Sequence, residues 1–261
     1  MKKTEAITIQ SAAPHVDEKV EEAEKEGLDE EDAIICDLEY LFPAPKHDRM
    51  TLTFRGEEHV VYALPSEFQH TVIGEVLWRG ATALCELLCD ESSENNKIED
   101  SAMDAIRSLP IRGSRVIELG AGCGLVGLVC LKALGAECAY LTDYEESVMR
   151  LLRRNAGENG VDESFVQTLD WTLPVNPEAK GFFDVAVASD VIYWRELVEP
   201  YFKCAGEIIR KGGYLIMVNG YARFLRNTDV CELYSQKYGF TRIFETSMDN
   251  GVEIISLYQR N

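Results

Sequence analysis

The residues best suited to chemistry in this sequence are carboxylates and aromatics that recur just after short apolar runs. Glu118 stands ahead of Gly120-Ala121-Gly122-Cys123-Gly124, Asp143 follows Ala139-Tyr-Leu-Thr142, Asp170-Trp171 follows Leu169, and Asp190 with Tyr193 follows Phe183 to Ser189. Carboxylates at such places accept hydrogen bonds from sugar hydroxyls or hold cations, and glycines in a strand-to-helix turn admit a ligand close to the main chain. The chemistry implied is the seating of a nucleotide-like ligand with a reactive group beside it.

Two ligand classes use such a turn. Read as Gly122-x-Gly124-x-x-Gly127 with Asp143 further on, it has the spacing of a dinucleotide site. Glu118 speaks against that reading, because a carboxylate just before the turn repels a pyrophosphate that the helix N-terminus would otherwise attract. S-adenosylmethionine carries no phosphate but a sulfonium and an ammonium, and a carboxylate favours it. The plainer alternative is a tight connection with Glu118 solvated at its edge.

Each of the other residues has two readings as well. Asp143, at the end of a second strand, reaches the ribose of a ligand on the first turn, or caps the next helix. Trp171 offers a flat face to an adenine and Asp170 an edge acceptor, or the indole packs in the core. Asp190 and Tyr193 set a carboxylate and a phenol over the reactive end, or cap a turn and pack.

These residues require a particular frame. Arg115 to Leu119 reads as a strand and Leu125 to Leu134 as an apolar helix; Tyr144 to Asn159 is helical, Ser164 to Leu169 a third strand and Phe183 to Ser189 a fourth. Leu197 to Arg210 is helical, Lys211-Gly-Gly213 turns, and Tyr214 to Val218 is a fifth strand. Thr241 to Thr246 and Val252 to Tyr258 are joined at Asp249-Asn-Gly251, a hairpin signal. Upstream, Met50 to Phe54 and His59 to Ala63 read as a hairpin over the ligand mouth, Thr71 to Cys89 as a helix holding Trp78, and Ser101 to Leu109 as a helix closed by Pro110. The expectation is an α/β Rossmann-like sheet of seven strands, closed by a C-terminal antiparallel pair that a dinucleotide fold lacks.

Taken in order, Gly74-x-x-x-Trp78-x-x-Ala81, Glu118-Leu-Gly-Ala-Gly122, Thr142-Asp143, Leu169-Asp170-Trp171 and Ser189-Asp-Val-Ile-Tyr193 resemble the seven-strand methyltransferases of methyltransferase family 16. Ser189 stands where alanine is frequent. The resemblance covers residues 50 to 261, and it implies a class I methyltransferase fold with S-adenosylmethionine as cofactor. By position it implies that Trp78, Glu118, Gly120, Ala121, Gly122, Gly124, Asp143, Asp170, Trp171 and Ser189 serve the cofactor. Asp190 and Tyr193 are then the catalytic pair facing a substrate amine. The group contains many protein-lysine methyltransferases, so the implied substrate is a lysine side chain of a protein. Arginine, histidine or a small molecule as acceptor, and a catalytically silent adaptor, are the alternatives.

Composition bounds the rest. The 261 residues are 46% hydrophobic, enough for one α/β domain, and the net charge is −19. Asp17 to Asp32 contributes ten acidic residues against two lysines. Residues 1–49 are therefore expected to be a largely solvated acidic extension, whose removal as far as Asp32 leaves stability nearly unaltered. The acidic balance argues against nucleic acid and for a basic protein partner. Eight cysteines without a Cys-x-x-Cys pair, and four scattered histidines, give no metal-ligand spacing. No apolar run is long enough to span a membrane and no cleavable signal is visible, so the expectation is a monomeric enzyme of the cytoplasm or nucleus.

Overall fold

Apolar runs that do not alternate form strands buried on both faces, and these build the centre of this chain. The computed structural model describes residues 5–11, 46–68, 73–93, 96–220, 224, 227–248 and 251–261. In chain order, β1 (Asp48–Phe54) and β2 (Glu57–Ala63) form a hairpin, followed by helices α1 (Arg79–Cys89) and α2 (Asp100–Arg107). Then come β3 (Arg115–Leu119), α3 (Leu125–Lys132), β4 (Cys138–Asp143), α4 (Glu146–Glu158), β5 (Val166–Thr168) and β6 (Phe183–Ser189). The chain ends with α5 (Arg195–Ile208), β7 (Ile209–Gly220), α6 (Thr228–Lys237), β8 (Phe240–Ser247) and β9 (Glu253–Arg260).

Seven strands form one sheet in the order β5-β4-β3-β6-β7-β9-β8. The first five are parallel, while β9 runs antiparallel to both β7 and β8. The C-terminal antiparallel pair expected from the sequence is present; Asp249 and Asn250 of its turn lie outside the described residues. The order reverses between β3 and β6, and a sheet of this kind opens its binding crevice there, beyond the strand C-termini.

The two faces sort the side chains by parity. Val116, Leu141, Val187 and Ile216 pack under α1, α3 and α4, whereas Ile117, Tyr140, Ala186 and Leu215 face α5 and α6. Glu118 has the parity of Val116 and so points into the first of these layers, beneath α3. That helix is buried on every side from Leu125 to Cys130, as a central helix of a packed layer should be.

Several boundaries differ from the sequence reading, each for a local reason. Trp78 is extended (ψ 150) and only caps α1, while residues 73–75 form a 3₁₀ turn; an apolar run can satisfy helical periodicity without being helical. The expected irregularity at Lys211-Gly-Gly213 lies inside the bounds of the long β7, where the pairing jumps from Phe183–Ile209 to Val185–Tyr214 and Gly212 takes φ 73; Gly213 has no room for a Cβ between the carbonyls of Asp184 and Arg210. The β1–β2 hairpin contributes nothing to the walls of the sheet's crevice; it packs on α3 and α4 instead. Residues 5–11, assigned above to the solvated extension, are packed, with Ile9 fully buried. Removing them is therefore expected to cost stability; the acidic run from Asp17 to Asp32 lies outside the described residues.

The hairpin is held by two asparagines four residues apart, Asn155 on α4 and Asn159 at its C-cap. Asn159 accepts from the Val60 amide and donates to the Val60 carbonyl. Asn155, fully buried, does the same for Tyr62 at 2.8 and 3.0 Å and donates also to the Cys123 carbonyl at 2.9 Å. Side-chain amides thus stand in for a neighbouring strand along β2. Asn155→Ala leaves three main-chain groups without a partner and is expected to destabilise the protein by about 2 to 4 kcal/mol, since each unpaired buried group costs about 1 to 3 kcal/mol. Urea unfolding measures it, and a loss below about 1 kcal/mol would show that water replaces the amide there.

Candidate functional site

The C-terminal ends of β3, β4, β5 and β6 open onto a cavity of about 520 Å³. Gly120, Ala121, Gly122, Asp143, Asp170 and Trp171 line it, together with Trp78, Ser189, Asp190 and Tyr193. Of the residues selected from the sequence, Glu118 and Gly124 are not part of its wall.

The turn after β3 is shaped by what glycine lacks. At Gly120 (φ 65) a Cβ would lie 2.8 Å from Val191 Cγ1 and 3.3 Å from the Trp171 ring; at Gly122 (φ 53) it would lie 2.8 Å from the Gly74 carbonyl. The bare main chain therefore forms part of the cavity floor, held between Trp171 and the segment that leads to α1. Gly124 is a packing residue, since a Cβ there would meet Leu152 Cδ1 at 2.5 Å.

Glu118 departs most from the sequence reading. It is buried, and its Oε2 accepts from the Gly127 amide at 2.8 Å, with Val126 as a further donor. A Cβ on Gly127 would stand 2.9 Å from that same oxygen and would also collide with Leu141, so Gly127 serves this contact and not a dinucleotide. Glu118 occupies the α3 amides that a phosphate would need. Burial pushes its carboxyl up to about 8, and the two amides oppose the shift only in part. The objection to a pyrophosphate stands, on a different physical ground: occupied amides, not a repelling charge at the rim. Among the described residues no lysine, arginine or histidine lines the cavity to replace them.

Asp143 ends β4 facing the cavity. Its Oδ2 accepts from the Gly122 amide at 3.0 Å and its Oδ1 from Tyr144 at 2.8 Å. The N-cap of α4 is Glu145, so Asp143 ties the glycine turn to the end of β4 and is not that helix's cap. Burial raises its carboxyl above the usual range, against the pull of these amides.

Asp190 is clamped in the same manner. It adopts φ 56, its Oδ1 accepts from the Gly220 amide at 2.8 Å, and its Oδ2 accepts from the Gly80 amide at 3.0 Å. Gly80 permits this, because a Cβ there would lie 2.5 Å from the oxygen. Left-handed backbone is tolerated by aspartate better than by most residues, and here it turns the chain from β6 across the cavity. Tyr193 follows, its ring edge-on to Trp194 at 6.0 Å, with its hydroxyl shifted upward first by burial and then by Tyr144 and Asp143.

At the inner end, the Trp171 ring stands edge-on to Tyr201 at 5.0 Å. Asp170 turns its Oδ1 back to the amide and hydroxyl of Thr172, a local turn that presents the indole to the cavity. Trp78 also lines the wall, its Nε1 donating to the Ile73 carbonyl at 2.8 Å. The sequence reading missed Tyr144, Val191 and Trp194, which line the same space. Each directly follows a selected motif residue or lies inside the motif, and that adjacency was the signal available. The arrangement suits a ligand with hydroxyls, a flat ring and positive charge.

Residues 63–229 match the family model described as lysine methyltransferase. Protein N-lysine methyltransferase METTL21A of Danio rerio is 27% identical over 168 residues, which cover 63% of this chain and 68% of that protein. Calmodulin-lysine N-methyltransferase of Arabidopsis thaliana is 36% identical over 89 residues, 33% of this chain and 29% of that protein, so this chain spans less than a third of the relative's length in that match. Among solved structures, the PH0226 protein from Pyrococcus horikoshii OT3 shares the fold with a TM-score of 0.50 at 16% identity, over 65% of this chain and 94% of that one.

The buried carboxyl of Glu118 gives a stability test. Its ordinary value is 4.5 and its folded value about 8, so between the two the folded state holds a proton that the unfolded state has released. Stability from this group is full below the lower value and is lost as pH rises through the upper one. Glu118→Gln, which keeps an acceptor for Gly127 and cannot ionise, is expected to flatten the fall in stability between about pH 5 and pH 9. Parallel stability curves for the two proteins would contradict the assignment.

Proposed function

The chain belongs to the lysine methyltransferase family, and from that premise we propose that it transfers a methyl group from S-adenosylmethionine to the side-chain amine of a lysine in a basic protein. Membership of the family and the class I fold imply S-adenosylmethionine. The observation that carries the reading is the convergence of Gly120–Gly122, Asp143, Trp171 and Asp190-Tyr193 on one cavity.

The residues fit this cofactor. The main chain at Gly120 and Gly122, which packs closely on Val191, Trp171 and Gly74, lines the space for the ligand's body, Asp143 presents a carboxylate to ribose hydroxyls, and Trp171 supplies an apolar plane for adenine. Ser189, Trp78 and Ala121 complete the walls. Glu118 and Gly124 serve the cofactor indirectly, by fixing the turn and α3. Bound there, the cofactor supplies an electrophilic methyl on sulfur, so the protein has chiefly to align the acceptor and exclude water.

Lysine has an ordinary pKa near 10.4, so freeing its amine at neutral pH costs about 4 to 5 kcal/mol. Asp190 is the group to orient the incoming ammonium. Two amides already hold both its oxygens, which favours orientation and charge stabilisation over free rotation to carry a proton. Tyr193 can hydrogen-bond the nitrogen or offer its ring to the cation. A protein acceptor is supported by Tyr144 and Trp194, cavity-lining aromatics that are each 58% exposed; bare aromatic surface beside a pocket is characteristic of protein contacts. The net charge of −19 favours a basic partner. Among the described residues no helix is long and apolar enough to cross a membrane.

Incubation with radiolabelled S-adenosylmethionine and a cell extract is expected to label a protein band whose modified residue, by mass spectrometry, is lysine. Label on arginine, on histidine or in a metabolite would replace the substrate assignment, and no label from a protein that still binds the cofactor would indicate an adaptor. Asp143→Asn is expected to weaken cofactor binding by about 1.5 to 3 kcal/mol, the worth of a hydrogen bond to a charged group. An unchanged dissociation constant by calorimetry would confine Asp143 to holding the turn.

A further inference from the structure

Residues 5–11 form a strap across the β4–β5 end of the sheet, on the face away from α3. It has few apolar anchors. Ile9 is buried in the same apolar cluster as Tyr140, with Ala6 and Ile7 partly buried against it, and the polar attachment comes mostly from side chains. The Ile7 amide donates to Tyr140 Oη at 2.8 Å; Gln167 donates through Nε2 to the Ile7 carbonyl at 2.7 Å and accepts the Ile9 amide at 2.9 Å. Asn176 donates its main-chain amide to the Ile9 carbonyl and its Nδ2 to the Thr8 carbonyl.

Gln10 goes further. Its Oε1 accepts from the Asp170 amide at 3.0 Å, and its Nε2 donates to the Asp170 carbonyl at 3.1 Å and to the Pro174 carbonyl at 3.1 Å. One side-chain amide thus pairs with both main-chain groups of Asp170, as a neighbouring strand would, at a place where β5 has already ended. The Asp170 carbonyl also accepts from Leu173 at 3.1 Å, closing the turn in which Trp171 is the next residue. Gln10 holds that turn from outside while Trp171 faces the cavity on the inside, 3.3 Å from where a Cβ of Gly120 would stand.

We propose that Gln10 is a positioning residue for the cofactor: by clamping the main chain of Asp170 it sets the depth of the Trp171 indole and so the affinity for the adenosyl end. The proposal rests on the reading that this cavity binds S-adenosylmethionine. Each interaction involved spans about 160 residues of sequence, so the N-terminal strap completes a site otherwise built by the sheet.

Calorimetric titration of the full chain with S-adenosylhomocysteine, alongside melting temperatures without ligand, tests it. Three variants are compared with the wild type. Gln10→Glu keeps size and shape but replaces both donations by repulsion between a carboxylate and two carbonyls. Gln10→Ala removes the clamp. Ser11→Ala removes the strap's bond to Asn176 Oδ1 without touching Asp170. Both Gln10 variants are expected to bind about tenfold more weakly, the worth of one or two hydrogen bonds, while Ser11→Ala binds as the wild type does and melting temperatures stay within about 4 °C. Wild-type affinity in Gln10→Glu would overturn the proposal and leave the cofactor reading intact, as would a loss in Ser11→Ala equal to that in the Gln10 variants, which would reduce the strap to packing. Failure of the wild type to bind would overturn the cofactor reading itself, and this proposal with it.

Discussion

The bond from Glu118 to the first-turn amides of α3 organises the site. A carboxyl in the middle of a parallel sheet has to find partners or lose its charge, and here both happen. Gly127 and Val126 supply donors, and burial shifts the group upward to about 8. The consequence is geometric. With β3 fastened to the start of α3, the five residues between them must fold back tightly, and glycine meets the positive φ found at Gly120, Gly122 and Gly124 at the least cost. That compressed turn gives the cavity its floor, and it uses up the helix-terminal amides that an anionic ligand would seek.

Around this turn carboxylates at two further strand ends accept main-chain amides and tie separate parts of the chain together. Asp143 joins the turn to the end of β4, and Asp190 joins the ends of β6 and β7 to the start of α1. Charge-assisted bonds of this kind hold main chain in place more firmly than neutral ones. The site is therefore stiff before any ligand arrives, which suits a reaction whose main demand is alignment. It also means that each acidic residue has a structural task alongside any contact it makes with a ligand.

Much of this was legible in the sequence, and the limits have physical causes. Buried parallel strands such as Phe183–Ser189 announce themselves because both faces are apolar, and the motif residues that end them fell on one cavity because a parallel sheet gathers its strand C-termini. Glu118 was misjudged in direction. Its parity with Val116 already placed it under a helix, but its charge suggested solvent. The helix boundary at Trp78 was missed because apolar periodicity persists through an extended segment. Gln10 gave no signal at all: Ile7-Thr-Ile-Gln10 is too short a pattern to stand out, and the main-chain groups of Asp170 and Pro174 that its side-chain amide meets are remote in sequence, a pairing that no periodicity encodes.

A crystal structure of the protein with S-adenosylhomocysteine would show at once whether this turn and Trp171 seat the cofactor. The ligand is expected in the cavity between the Gly120–Gly122 main chain and Trp171, with ribose hydroxyls on Asp143 and the Glu118 carboxyl still bonded to the Gly127 amide. A ligand seated elsewhere, or Glu118 swung out to meet the ligand's ammonium, would contradict it.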